Sequence, residues 1–413
     1  ISSAMVSFRS SLSVPFCAAV FVFLQALLTG IHVTKMSSCL RTNDMAANSN
    51  IQSSFDEAKN TRSAFPDKPQ FVFHVGPLKT GTTSIQDDLT TLNWHRFLEL
   101  DNWYYAVRNH TFSGGEFIQS NLSRITVQNG NVQEFLDCFH AELTRLRKFN
   151  KNIVLSREIY SVNLSPHPEI YQQLHDRLSK DWDVTIVSGY RPYYDWIVSL
   201  WNQATKMDTF KYTDPSTWPW THRNGEMHRV QALFPELYGW ASSSGYFTDS
   251  IVDRASPYFP VHILDLREDG FSTRFFCDVL QAEHACAERK RRDQENGTTW
   301  ANKAEADIIF YDAVGLNAAS KGLVNMQKWN RFAVRNAIES HMEQELNQTA
   351  SLHWPRVCPD EVALNDLLIK SIRLDAHLFP NENREQRDDA LKAGFQKQLD
   401  RKGFCHVDLD AIL

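Results

Sequence analysis

None of the 7 cysteines stands in a Cys-x-x-Cys pair, so a structural zinc site of the common spacing has no ligands to draw on. Positive charge is not in excess either: 43 Lys+Arg face 49 Asp+Glu, a formal net charge of -6. That balance excludes a histone-like or broadly basic nucleic-acid binder and leaves room only for a local basic pocket. The Gly-Lys-Ser/Thr that closes an ordinary nucleotide phosphate loop is missing, and no acidic strand end stands out as a magnesium ligand. Both absences count against ATP hydrolysis and kinase chemistry. No internal repeat is visible, which removes the solenoid and propeller architectures. Neither a metal nor a nucleic-acid partner is expected.

Apolar residues make up 42% of the chain, with 26 Phe, 12 Tyr and 11 Trp, enough for a substantial core. A length of 413 residues suits one large catalytic domain with appendages, or two modest domains. After a flank at 1–10, residues 11–34 carry no charge and supply the roughly 20 apolar residues that a membrane-crossing helix needs. They read as a transmembrane signal anchor; a cleaved signal peptide and a buried or organellar targeting helix are the competing readings. Residues 35–68, rich in Ser, Asn, Asp and Thr, read as a polar stem or linker. The remainder, 69–413, would then face a secretory lumen. There Cys277 with Cys286 and Cys358 with Cys405 could form bridges, although buried free thiols fit the spacing as well. The sequons at Asn109, Asn121, Asn163, Asn296 and Asn347 would matter only in such a lumen.

From residue 69 onward the pattern alternates. Gln70 to Val75 is a short aromatic and β-branched run of the kind that forms a buried strand. Further strands are expected at 103–107, 152–156, 184–188 and 261–266. Amphipathic stretches lie between them, the clearest at 132–149, where Phe135, Leu136, Phe139, Leu143 and Leu146 recur at helical spacing. Alternating strands and helices predict an α/β domain, a three-layer α/β/α sandwich around a mainly parallel sheet, with helical C-terminal additions over 300–345 and 360–400. Residues 206–258 break the pattern and read as an acceptor-side insertion holding short helices. Residues 288–295 read as a solvated charge run.

The segment after the first strand has a chemical meaning. Lys79, Thr80, Gly81, Thr82, Thr83 and Ser84 join a small-residue turn to a helix start. Such a turn presents backbone N–H donors and the positive end of a helix to an anion, and Lys79 adds an ammonium. Farther on, Arg191 follows a strand and offers a rigid fork of donors suited to phosphate, with Ser199 eight residues later.

The run Pro77-Leu78-Lys79-Thr80-Gly81-Thr82-Thr83-Ser84 resembles the 5′-phosphosulfate loop of PAPS-dependent sulfotransferases. Arg191 and Ser199, after the strand 184–188, are similar to that family's 3′-phosphate pair. The resemblance spans about residues 69–280 and implies a sulfotransferase-type P-loop, with 3′-phosphoadenosine 5′-phosphosulfate (PAPS) as sulfuryl donor and Lys79 assisting the transfer. Arg401-Lys402-Gly403 weakly echoes a further nucleotide-binding segment, but the Gly-Asp-Trp-Lys expected after it is absent, so that site is not carried over. The anchor and stem look most like those of membrane-bound, Golgi-type carbohydrate sulfotransferases, which implies a glycan acceptor and a Golgi or other secretory-pathway membrane location.

Transfer to a hydroxyl or amine requires a base near the acceptor. Glu158, closing the strand 152–156, is the first candidate, and its order between the two motifs resembles that of the acidic base in glycan sulfotransferases. His74 is the runner-up, and His95 and His110 are weaker ones. Arg157 would hold an acidic acceptor or instead pair with Glu158 at the next helix start. Trp218 and Trp220 are candidate acceptor walls. Tyr193, Tyr194, Trp196 and Trp201 could frame a ring or simply pack a helix on the sheet. A small-molecule or lipid sulfotransferase and a catalytically silent nucleotide- or glycan-binding protein are the alternative readings.

Overall fold

Short β-branched and aromatic runs become buried strands when both their faces are covered. The computed structural model describes residues 68–199, with breaks at 78, 108, 113–114, 116, 128–130 and 165–166, then 247–296 and 356–407, and isolated positions between 318 and 336. The strands are β1 (Gln70–His74), β2 (Trp103–Tyr105), β3 (Asn152–Ser156), β4 (Asp183–Tyr190) and β5 (Val261–Asp265). They form one five-stranded sheet in the order β2-β3-β1-β4-β5, and every pairing in it is parallel. The fold is α/β with a central parallel sheet and C-terminal helices.

Period-two alternation in β1 feeds two cores. Phe71 and Phe73 face one side with Phe135, Phe139 and Leu143, while Val72 faces the other with Ile85, Leu89 and Phe275. The first side is covered by α3 (Val132–Arg147), and the second by α1 (Thr82–Trp94) with the short α2 (Phe97–Leu100). The heptad-like stripe of α3 is buried as its spacing predicts, and Asn131 caps the helix by accepting from the Glu134 N–H at 3.1 Å. Smaller helices follow: α4 (Ile159–Leu164), α5 (Ile170–Leu178), a helical segment over 193–199, α6 (Phe247–Ala255) and α7 (Phe271–Arg274).

The run 288–295 is not simply solvated. It belongs to α8 (Glu283–Asn296), where Arg289 is 5% exposed and pairs with Asp88 of α1 at 2.9 Å and with Asp293 at 2.8 Å. Asp101 caps that helix from outside, accepting from the His284 and Ala285 N–H groups. The tail of the expected insertion is likewise core: Thr248, fully buried on α6, donates to the Gly189 carbonyl at 2.8 Å. Residues 206–246, and most of 300–345, lie outside the described residues. The expectation for 360–400 holds as α9 (Glu361–Leu378) and α10 (Arg384–Asp400), capped by Asp360 and Asn383.

The single-pass anchor, the membrane as partner and the Golgi-membrane location built on it require correction. Among the described residues no helix is long and apolar enough to cross a membrane. The longest, α9, carries Glu361, Asp366, Lys370, Arg373 and Asp375 along its length, and such charges are costly in hydrocarbon. The anchor at 11–34, and the stem at 35–68 except for Lys68, lie outside the described residues.

A buried ionic cluster docks the C-terminal helices on the sheet edge. Asp375, fully buried on α9, accepts from Tyr190 Oη at 2.7 Å, from Arg387 Nε at 2.8 Å, and from Arg267 and Arg384. Arg387 also reaches Asp265, the last residue of β5, at 2.9 Å and lies 3.6 Å over the Phe379 ring. Burial pushes the Asp375 carboxyl up, but the hydrogen bonds from Arg387 and Tyr190, with the arginine charges, outweigh it and hold the group below the ordinary range. Disulfides Cys277–Cys286 and Cys358–Cys405 are formed, the second tying the strand before α9 to the end of the turn after α10.

Arg387→Ala leaves Arg267 as the remaining arginine that Asp265 and Asp375 share, and the lost charge-assisted hydrogen bonds cost about 1.5–3 kcal/mol. Thermal unfolding of the variant is expected to show a large drop in Tm. Because the Asp375 value is depressed on folding, the cluster contributes fully above the ordinary carboxylate range and less as pH falls through the lowered value. An Asp375→Asn variant is therefore expected to be less stable at neutral pH and to lose less on acidification than the parent.

Candidate functional site

In an open parallel sheet, ligands bind outside the carboxyl ends of strands where neighbouring connections leave in opposite directions. Here that place lies between β1 and β4: the chain leaves β1 towards β2 at one edge and leaves β4 towards β5 at the other. The Lys79 loop follows β1, and Arg191 follows β4.

The loop is built from residues that tolerate an unusual backbone. Lys79 and Gly81 both take left-handed conformations, with φ 68 and φ 78, and α1 begins after Gly81 with no side-chain cap. Its first-turn N–H groups thus have no capping side chain, which is the arrangement that suits an anion. Left-handed Lys79 is a costly conformation for a residue with a Cβ, and such strain gathers at functional loops. Thr80, 1% exposed, donates to the Pro77 carbonyl at 2.7 Å and turns the chain back on itself. The loop then lies so close to β4 that a Cβ on Gly189 would come within 2.5 Å of the Thr80 carbonyl oxygen.

The second motif meets the first. Arg191 donates through one terminal nitrogen to the Lys79 carbonyl at 3.4 Å and through Nε to Asp195 at 2.7 Å. Ser199 is the last described residue of the helical segment over 193–199 and is half-buried. Thr83 is half-buried and Ser84 buried on the first turn of α1, and the Ser84 N–H donates to the Gly81 carbonyl at 3.0 Å.

Glu158 arrives from the end of β3. Its Oε1 accepts a hydrogen bond from the Thr82 hydroxyl, so the carboxyl sits at the opening of α1. Burial pushes it up to about 7, opposed by the charge of Lys79. A carboxyl poised near neutrality beside an ammonium is what base chemistry at that pH asks for. The Thr82 hydroxyl is thus engaged by Glu158.

Other expected residues take structural places. His74 is fully buried, its Nδ1 lies 2.7 Å from Ser156 Oγ, and burial lowers it to about 3, so it stays neutral. Arg157 donates a guanidinium hydrogen bond to the Ser123 carbonyl and braces the 122–124 turn. His95 is exposed at the far end of α1, and His110 lies 3.3 Å from Asn93 and 3.5 Å from Glu99. Tyr193, Tyr194 and Trp196 are core residues, 1%, 3% and 0% exposed, which favours the packing reading. Trp201, Trp218 and Trp220 lie outside the described residues.

Sequence reasoning missed two supports, Asp195 and Gln398, whose side chains meet at 3.0 Å across 203 residues. Asp195 had a readable signal, standing four residues after Arg191 on a helical pattern; Gln398 had none. The chain matches no family model, no curated protein and no solved structure.

Gly189→Ala forces the new methyl against the Thr80 carbonyl backbone, and overpacking of this kind costs about 1–3 kcal/mol. A measured fall in Tm is expected for this variant.

Proposed function

We propose that this chain is a PAPS-dependent sulfotransferase that moves a sulfuryl group to a hydroxyl or amine acceptor. The observation that carries the reading is the convergence of Lys79, Arg191 and Glu158 at one strand-end crevice, from three separate stretches of sequence. The helix-covered sheet reads as the three-layer α/β/α sandwich that the resemblance implies, with the 79–84 turn as its P-loop. The donor fits the residues present. The left-handed turn and the opening of α1 would take the 5′-phosphosulfate, and Arg191 with Ser199 the 3′-phosphate.

Glu158, deprotonated, takes the proton from the acceptor hydroxyl while the acceptor oxygen bonds to sulfur. The bond between sulfur and the bridging oxygen of the 5′-phosphate breaks, and its electron pair stays on that oxygen. Lys79 and the loop N–H groups offset the charge that grows there. Thr82 fixes one Glu158 oxygen and thereby aims the other. A preference for carbohydrate over other acceptors rested on the anchor-and-stem layout, which the described residues do not include, so the acceptor is proposed only as a hydroxyl or amine.

Calorimetry with 3′-phosphoadenosine 5′-phosphate (PAP) tests the donor site. Tight binding is expected for the parent, with losses of tenfold or more, roughly 1.4 kcal/mol each, in Lys79→Ala and Arg191→Ala. No binding by a folded parent sinks the reading. Once an acceptor is found by screening sugars, phenols and sterols, Glu158→Gln is expected to keep PAP affinity and to lose roughly a hundredfold or more in turnover. Since the base must be ionised, kcat/KM of the parent is expected to rise as pH passes through about 7, and a flat profile over about pH 5 to 9 would remove Glu158 from that role.

A further inference from the structure

The end of α10 lies against the Arg191 side of this crevice, and its geometry is specific. The helix closes in a Schellman turn: the Gly403 N–H donates to the Gln398 carbonyl at 2.8 Å and the Lys402 N–H to the Leu399 carbonyl at 2.9 Å. Lys402, not a glycine, takes the left-handed position with φ 53. Glycine stands one residue later, at Gly403, where a Cβ would collide with Gln398 Oε1. The missing side chain thus gives the Gln398 amide its place. From there Gln398 Nε2 donates to Asp195 Oδ1 at 3.0 Å, and Asp195 Oδ2 accepts from Arg191 Nε at 2.7 Å. One carboxylate therefore joins the two residues, and it fixes the plane of the Arg191 guanidinium. Cys405, two residues beyond Gly403, is bonded to Cys358 and clips the turn in place.

We propose that Gln398 and Asp195 are positioning residues that orient Arg191 for a 3′-phosphate, so that the C-terminal helix sets the enzyme's discrimination between 3′-phosphorylated and plain adenosine nucleotides. The inference rests on the sulfotransferase donor reading. Arginine next to an exposed carboxylate swings through several rotamers, and holding it in one removes that entropy from the binding step. Without Gln398 the Asp195 carboxylate is free to turn, and Arg191 follows it. The effect falls chiefly on the 3′-phosphate, because Thr80 and its close seat on Gly189 shape the Lys79 loop, and the Arg191 contact with the Lys79 carbonyl is long at 3.4 Å.

Calorimetry of the full chain with PAP and with adenosine 5′-phosphate tests this. Gln398→Ala and Gly403→Ala are expected to weaken PAP binding about tenfold, the scale of one misaligned charge-assisted contact, and to leave the affinity for adenosine 5′-phosphate unchanged. In an Arg191→Ala background the Gln398→Ala change is expected to have no further effect on PAP, as coupled residues require. Parent binding of PAP with equal losses for both nucleotides in Gln398→Ala, or with no loss, overturns the positioning role and leaves the donor site standing. A parent that binds neither nucleotide overturns both. Unfolding curves guard against simple misfolding, and if Gly403→Ala fails to fold, Gln398→Ala alone decides.

Discussion

Strand β1 is hydrogen-bonded on both sides, to β3 and to β4, in parallel register. This double pairing places the candidate site residues. Parallel neighbours lie about 4.8 Å apart and end on the same edge of the sheet. The segments that leave His74, Ser156 and Tyr190 are therefore delivered to one small area, although those residues are far apart in sequence. The Lys79 loop, Glu158 and Arg191 meet because the sheet leaves them nowhere else to begin. The close seat of Thr80 on Gly189 tightens the arrangement to van der Waals limits.

The polar interior is concentrated on either side of that area. On one face Asp88, Arg289 and Asp293 bind α1 to α8; at the edge Asp265, Asp375 and Arg387 bind β5 to the last two helices. Each charge is answered by more than one partner, as buried ions must be to repay their lost hydration. Such clusters contribute less net stability than an apolar core of equal size, but they tolerate only one docking of the helices. That exactness is useful where a guanidinium has to face a ligand.

How much of this was legible in the sequence depends on how far apart the partners are. β1 and α3 could be read because their burial repeats at period two and period 3.6 within a few residues. The loop at Lys79 could be read because small residues, a lysine and a helix start are local features. Glu158 could be placed because it closes a strand. Nothing local marked Asp375 as the partner of Arg267 and Arg387, or Asp265, the last residue of β5, as the acceptor for the same two arginines. Arg289 looked solvated because its neighbours are charged; only the contact with α1 shows otherwise. The short strand pairs His110–Thr111 with Phe117–Ile118 and Arg356–Val357 with His406–Val407 are two residues long on each side, below what any periodicity can show.

The desolvated Glu158 carboxyl has a thermodynamic consequence. If the proposed anionic donor binds beside it, a carboxyl raised by burial to about 7 couples that binding to proton uptake. Each negative charge brought in would raise the carboxyl further, so the complex would draw a proton from solvent and association would strengthen towards acid. Base chemistry at the same carboxyl demands the opposite. Lys79 opposes the rise, and its single charge sets how far the two demands pull apart. In that reading the proton linkage is set by the electrostatic influence of one lysine on a loop upon one carboxyl at a strand end.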